Sequence, residues 1–179
     1  MTHEEATLTT GEAPEAVAGD DGMGGIDIGT VVNGRYEAIR PLGSGGLGRV
    51  YLVHDKLESK PLALKTLHSY ELSAEQLALF KNEFETMARL RHPNLAQVYD
   101  FEPLHGTDDH FFTMEFVAGL DAFRATENSS INQVLDIVVQ ICRALAYIHS
   151  RSIIHFDLKP GNIIEIGRAS CRERVLPVV

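Results

Sequence analysis

The chain has 179 residues, 44% hydrophobic and 23% charged, enough for one domain with a real core or for a small domain plus part of another. Its net charge of −9 is concentrated at the front: of 25 acids and 16 bases, seven acids (Glu4, Glu5, Glu12, Glu15, Asp20, Asp21 and Asp27) and no base precede Arg35. The remainder is close to neutral, so neither a basic stripe for nucleic acid nor an acidic globule is expected.

Residues 1–28 combine acids with Gly, Ala and Thr and hold almost no large apolar side chains, so they read as a disordered acidic leader. They lack the basic and apolar regions of a secretory signal. Two β-prone runs, Tyr36 to Leu42 and Arg49 to His54, flank a glycine-rich turn, and Pro61 to Leu67 reads as a third strand. Ser73 and Gln76 form a capping box for a helix in which Leu77, Phe80, Phe84, Met87 and Leu90 recur at helical spacing. His92-Pro93-Asn94 ends it. Residues 95–104 and 110–117 read as strands four and five across a polar turn, with Gly119 as punctuation. Ser130 and Gln133 then open a helix from Ile131 to about Ser150, apolar around most of its circumference and so expected inside a core. Asp136, Gln140 and Arg143 interrupt it. No window of about 18 uninterrupted apolar residues exists, so no membrane segment is expected. Cys142 and Cys171 are too few for a disulfide framework, and the eight histidines lack metal spacing, as expected of a cytoplasmic protein. A small antiparallel sheet with one helix, followed by helical structure, is an α+β plan.

Three stretches can carry chemistry. Gly43, Gly45 and Gly48 stand at G-x-G-x-x-G spacing, with Val50 two residues on. Without Cβ atoms, their amides can approach phosphate oxygens. A strand rather than a helix follows, which excludes a dinucleotide-binding turn and leaves a phosphate-covering flap or a plain flexible turn. Lys65, between apolar neighbours, is either an edge lysine reaching for water or a phosphate ligand braced by a carboxylate. Glu83 lies three after Phe80 and four before Met87, so it is placed on the buried face and chosen over Glu85 as the brace. "HFDLKPGN" brings together Asp157, Lys159 and Asn162: a proton acceptor, a cation for a transferring phosphoryl group and an oxygen ligand for Mg²⁺, or simply a turn.

In this order and spacing the pieces resemble the protein kinase family from about Gly29 to Asn162, most of all its bacterial serine/threonine members. The resemblance implies a kinase-like N-lobe over 29–118, with a five-stranded antiparallel sheet, one helix and the hinge. It implies the start of a helical C-lobe over 119–164. It also implies ATP, Mg²⁺ and a protein Ser/Thr hydroxyl as reactants. Gly43, Gly45 and Gly48 would cover the phosphates, and Leu42, Val50 and Ala63 would surround adenine. Lys65 would hold the α- and β-phosphates with Glu83 bracing it. Met114 falls at the gatekeeper position, with hinge hydrogen bonds from Glu115 and Val117. Asp157 would be the catalytic base, Lys159 its phosphate-facing partner, and Asn162 a magnesium ligand. The other reading is a non-catalytic nucleotide-binding module.

Two departures stand out. Phe156 replaces the family's usual arginine, which pairs with an activation-loop phosphate. No aspartate follows Asp157, so the family's second metal-holding carboxylate is absent from this sequence, and the 179 residues alone are expected to be inactive. Residues 165–179 read as a non-native tail: Glu165 to Val175 show no strand alternation and no consistent apolar face. Ile166 to Val175 match, letter for letter, the translation of one frame of a widely used sequencing-adapter oligonucleotide. The expectation is that coding sequence runs off near Ile164, leaving Cys171 and the last arginines without a role; a divergent loop or a genuinely shortened product are the other readings.

Overall fold

A computed structural model of the chain describes residues 25–45, 48–68, 73–155, 157–166 and 173–175. Most of them build a six-stranded sheet from β1 (Val31–Val32), β2 (Tyr36–Gly45), β3 (Gly48–Asp55), β4 (Lys60–Leu67), β5 (Val98–Pro103) and β6 (His110–Glu115), in the order β1-β2-β3-β4-β6-β5. Every pairing is antiparallel. The five expected strands are present, and β1 extends them. It forms because Asn33 and Gly34 both accept positive φ, 49° and 73°, and so reverse the chain tightly. Asn33 also hooks this turn to β5, donating to Glu102 at 2.9 Å and to the Pro103 carbonyl at 3.0 Å.

Period-two alternation gives the sheet two apolar faces. Tyr51, Val53, Leu62, Leu64 and Phe111 point to one, closed over by Val32, Tyr36 and Ile26. Residues 25–28, expected in the leader, therefore belong to the fold: Ile26 packs on this face and its N–H donates to the Tyr51 hydroxyl at 3.0 Å. The rest of the leader lies outside the described residues. Ala63, Leu67, Phe112 and Met114 point to the opposite face, together with Val50. There α1 (Ala74–Ala88), capped by Ser73 and Gln76 as the sequence predicts, lays Phe80 and Phe84 against Phe101 and Phe112, with ring centroids 5.4–6.1 Å apart.

A charged knot that the sequence reading did not identify fastens one end of the sheet. Arg35 grips the fully buried Asp55 with two hydrogen bonds of 2.9 and 2.8 Å and reaches Asp100 at 3.2 Å; Asp100 also accepts from the Tyr36 hydroxyl at 2.8 Å. The Arg35 hydrogen bonds hold the Asp55 carboxyl below the usual carboxylate range, and the Leu57 and Glu58 amides add to this.

After β6 the chain forms β7 (Leu120–Asp121), the short helix α2 (Ala122–Thr126) and the long helix α3 (Ile131–His149). β8 (Ile163–Glu165) pairs with β7 on one side and with β9 (Glu173–Val175) on the other. β9 falls in the stretch read as patternless; strand pairing uses main-chain groups and does not require side-chain alternation. The expected burial of α3 is only partly met. Ile137, Ala144 and Ile148 are buried, but Ile131, Leu135, Val138 and Val139 are 45–70% exposed. By length and a mean hydropathy of 1.4, α3 is apolar enough to cross a membrane. Here it is bound to the sheet domain through polar contacts: Asn94 donates to Gln140 at 2.9 Å, the Arg91 N–H donates to the Tyr147 hydroxyl at 3.1 Å, and His92 stacks on Tyr147 at 4.9 Å.

Candidate active site

The α1-facing side of the sheet also carries the chemistry, because alternation places Val50, Ala63, Lys65 and Met114 on one surface. Cross-strand register sets them side by side: Val50 opposite Lys65, and Ala63 opposite Met114. Leu42 lies within a β-bulge between Pro41 and Gly43, the kind of irregularity that re-aims a side chain. Gly43 has open space where a Cβ would stand. Gly45 and Gly48 pair across the turn. Gly48, at φ +148°, is required for packing, since a Cβ would sit 1.9 Å from the Thr66 carbonyl oxygen on β4. The structure thus gives the third glycine of the motif a fold role that spacing alone did not reveal.

Lys65 projects from β4 with its ammonium 5.8 Å from the centre of the Phe112 ring. Burial pushes its pKa below the ordinary lysine value, partly offset by the field of Asp157. Glu83 does not stand where the sequence reading placed it. It is exposed, and among the described residues no ion pair is seen between it and Lys65. The reason is geometric: Phe84 is the fully inserted residue of α1, and Glu83 and Glu85 each lie one residue away, about 100° of helical turn, on opposite flanks.

The loop after α3 gathers the remaining groups. The helix ends with Ser152 at φ 60° and the Ile153 N–H bonded to the Ile148 carbonyl, a left-handed close that turns the chain back toward the sheet. His155 is buried; Phe156 lies outside the described residues. Lys159 bonds the Asp157 carboxylate at 2.8 Å. The Asn162 amide, set in a 3₁₀ turn over Pro160–Asn162, donates to the Asp157 carboxylate at 3.0 Å and to its carbonyl at 2.8 Å. Hydrogen bonding from Lys159, then from Asn162, holds the Asp157 pKa below the usual range, so this half-exposed carboxylate is ionised at neutral pH. With its amide nitrogen committed to Asp157, the Asn162 side-chain oxygen is the end left to face a cation. A hard amide oxygen beside an ionised carboxylate is a donor set that fits magnesium.

The arrangement is a sheet face with an apolar bed and a lysine, opposite a loop with an ionised carboxylate, a second lysine and an amide oxygen. The family model for the protein kinase domain matches residues 36–169. The chain belongs to the protein kinase family. This kinase chain is 34% identical over 142 residues to the serine/threonine-protein kinase PrkC of Bacillus subtilis, covering 76% of the chain and 22% of PrkC. It is 37% identical to the DNA damage-responsive kinase RqkA of Deinococcus radiodurans over 76% of the chain and 21% of that protein. Among solved structures, a mutant of the PknI kinase domain of Mycobacterium tuberculosis superposes with a TM-score of 0.71 at 30% identity, over 86% of this chain and 62% of that one. Rad53 in complex with AMP-PNP superposes at 0.68 and 25% identity, over 79% of this chain and 38% of that one. The chain therefore spans about a fifth of the length of the curated relatives it matches.

Proposed function

We propose that the chain forms the nucleotide-binding part of a serine/threonine protein kinase, which moves the γ-phosphoryl group of ATP to a protein hydroxyl. The observation that carries this reading is the placement of Val50, Ala63, Lys65 and Met114 on one sheet face, together with a loop in which Lys159 and Asn162 hold the Asp157 carboxylate, within the span matched by the protein kinase domain. Adenine would lie against Val50, Ala63 and Leu42 below Met114, bonded to the Glu115 and Val117 main chain. The glycine turn at Gly43, Gly45 and Gly48 would cover the phosphates, and Lys65 would meet them. Asp157 would orient the acceptor hydroxyl and take its proton, while Lys159 faces the moving phosphoryl group. Asn162 would hold a magnesium ion, which when bound neutralises phosphate charge.

Glu83 reaches Lys65 in this reading only if α1 swings inward with nucleotide bound. Phe156 in place of arginine leaves an activation-loop phosphate without its usual partner, so such a phosphate is not the on-switch.

The test is ATP titration across pH. Burial places the Lys65 pKa below 10.5, and only the protonated ammonium attracts phosphate. ATP affinity is expected to fall as pH rises toward 10.5, while a Lys65→Met chain shows a flat, weak profile. A steep fall in both proteins would remove Lys65 from the site.

A further inference from the structure

We propose that Gln97 is a positioning residue that pins the end of α1 to the hinge, so that adenine seated at Glu115–Val117 orders the helix carrying Glu83. The inference rests on the nucleotide reading above.

Gln97 stands just ahead of β5, and both of its main-chain polar groups are held by Glu115. Its carbonyl accepts from the Glu115 N–H at 2.7 Å, and its own N–H donates to the Glu115 carboxylate at 3.2 Å. Its side chain reaches the other way. The amide nitrogen donates to the Ala88 carbonyl at 3.2 Å and to the Val98 carbonyl at 2.7 Å, which accounts for both of its hydrogens. Ala88 is the last residue of α1, and its carbonyl is one of the four that a helix cannot satisfy internally. A single half-buried residue therefore spans from the hinge main chain to the helix end with nothing between.

The rest of α1 is held differently. Its N-terminus is capped by its own Ser73 and Gln76, and its inward face touches the sheet through Phe80 and Phe84. The aromatic contacts spread over one face of the helix, whereas a hydrogen bond to a single carbonyl fixes a point at its end. The Arg91 guanidinium shares that carbonyl from the following loop, so the fixed point lies at the C-terminal end. Glu83, five residues before Ala88, sits on the arm that swings about it. Adenine bonds at Glu115 and Val117 would stiffen the same strand end that holds Gln97, and the pin would pass that order to α1.

A plain helix cap predicts none of this, and amide hydrogen exchange separates the two. In the full 179-residue chain, saturating adenosine, which has no phosphates and so cannot act through Lys65, is expected to slow exchange across residues 74–88 severalfold. Gln97→Met, similar in length but without a donor, is expected to bind adenosine and lose that slowing. Gln97→Lys, which restores a donor toward Ala88, is expected to recover it. Equal slowing in the wild-type and Gln97→Met chains overturns the inference, as does a wild-type chain that binds adenosine without protecting α1, whatever the variants do. A wild-type chain that binds neither adenosine nor ATP removes the nucleotide reading as well, which the titration distinguishes.

Discussion

β4 and α3 are both strongly apolar, yet one vanishes into the structure and the other stands half in solvent. In β4, Leu62, Ala63, Leu64 and Leu67 are at most 4% exposed, because successive residues face opposite sides of the sheet and each side has its own cover. In α3, the apolar side chains surround the helix while its partners lie on one side, so Ile131, Leu135, Val138 and Val139 remain uncovered. The difference shows where cooperativity resides. The sheet and α1 form a unit with two cores, whereas α3 buries one narrow side through Ile137, Ala144 and Ile148 and is tied by directed contacts at Asn94, Arg91 and His92.

Substitution of one residue in each region tests that contrast. Phe111→Ala, at a fully buried position, is expected to cost about 3–5 kcal/mol in denaturant unfolding, whereas Leu135→Ala on the open side of α3 should stay within about 0.5 kcal/mol. Equal costs would mean that α3 is as integral as the sheet.

The charged knot sharpens the same comparison through pH. The Asp55 pKa is lowered in the fold, so its contribution is present above its unfolded value near 3.8 and is lost as pH falls through the lower folded value. Asp55→Asn should destabilise the chain by on the order of 3 kcal/mol at neutral pH and flatten the decline below pH 3.8, both measurable by urea unfolding at fixed pH. The smallest expected effect is on α3 itself. Leu135→Glu should leave the thermal midpoint nearly unchanged and reduce self-association in sedimentation, since it breaks an uncovered apolar stripe without entering either core.

How legible this was in sequence depended on whether a residue's fate is set locally. The capping boxes at Ser73 and Ser130 occur as read, because their partners are three residues away. Val50, Ala63 and Met114 were assigned to the site only through the family resemblance; their alignment with Lys65 on one face depends on strand register as well as alternation. Glu83 was misplaced because two helical flanks at equal angles from Phe84 cannot be ranked without knowing which aromatic residue inserts deepest. Burial of α3 was overestimated because apolar composition states what a helix needs, not what covers it. Arg35, Asp55 and Asp100 were invisible as a group, since their meeting depends on strand register, and Gln97 likewise acts through residues 9 and 18 positions away. The Asn33-Gly34 turn that creates β1 was not read either, although its residue types are a local signal for a tight reversal.

The most direct test of the central claim, that Lys65 and Asp157 face one nucleotide, is calorimetric titration of ATP and adenosine into the wild-type and Lys65→Met chains with magnesium present. A charge-assisted contact to phosphate, worth about 1.5–3 kcal/mol, predicts a roughly 10- to 150-fold loss of ATP affinity in the variant and an adenosine affinity changed less than about twofold. Equal ATP affinity in the two proteins would contradict the account.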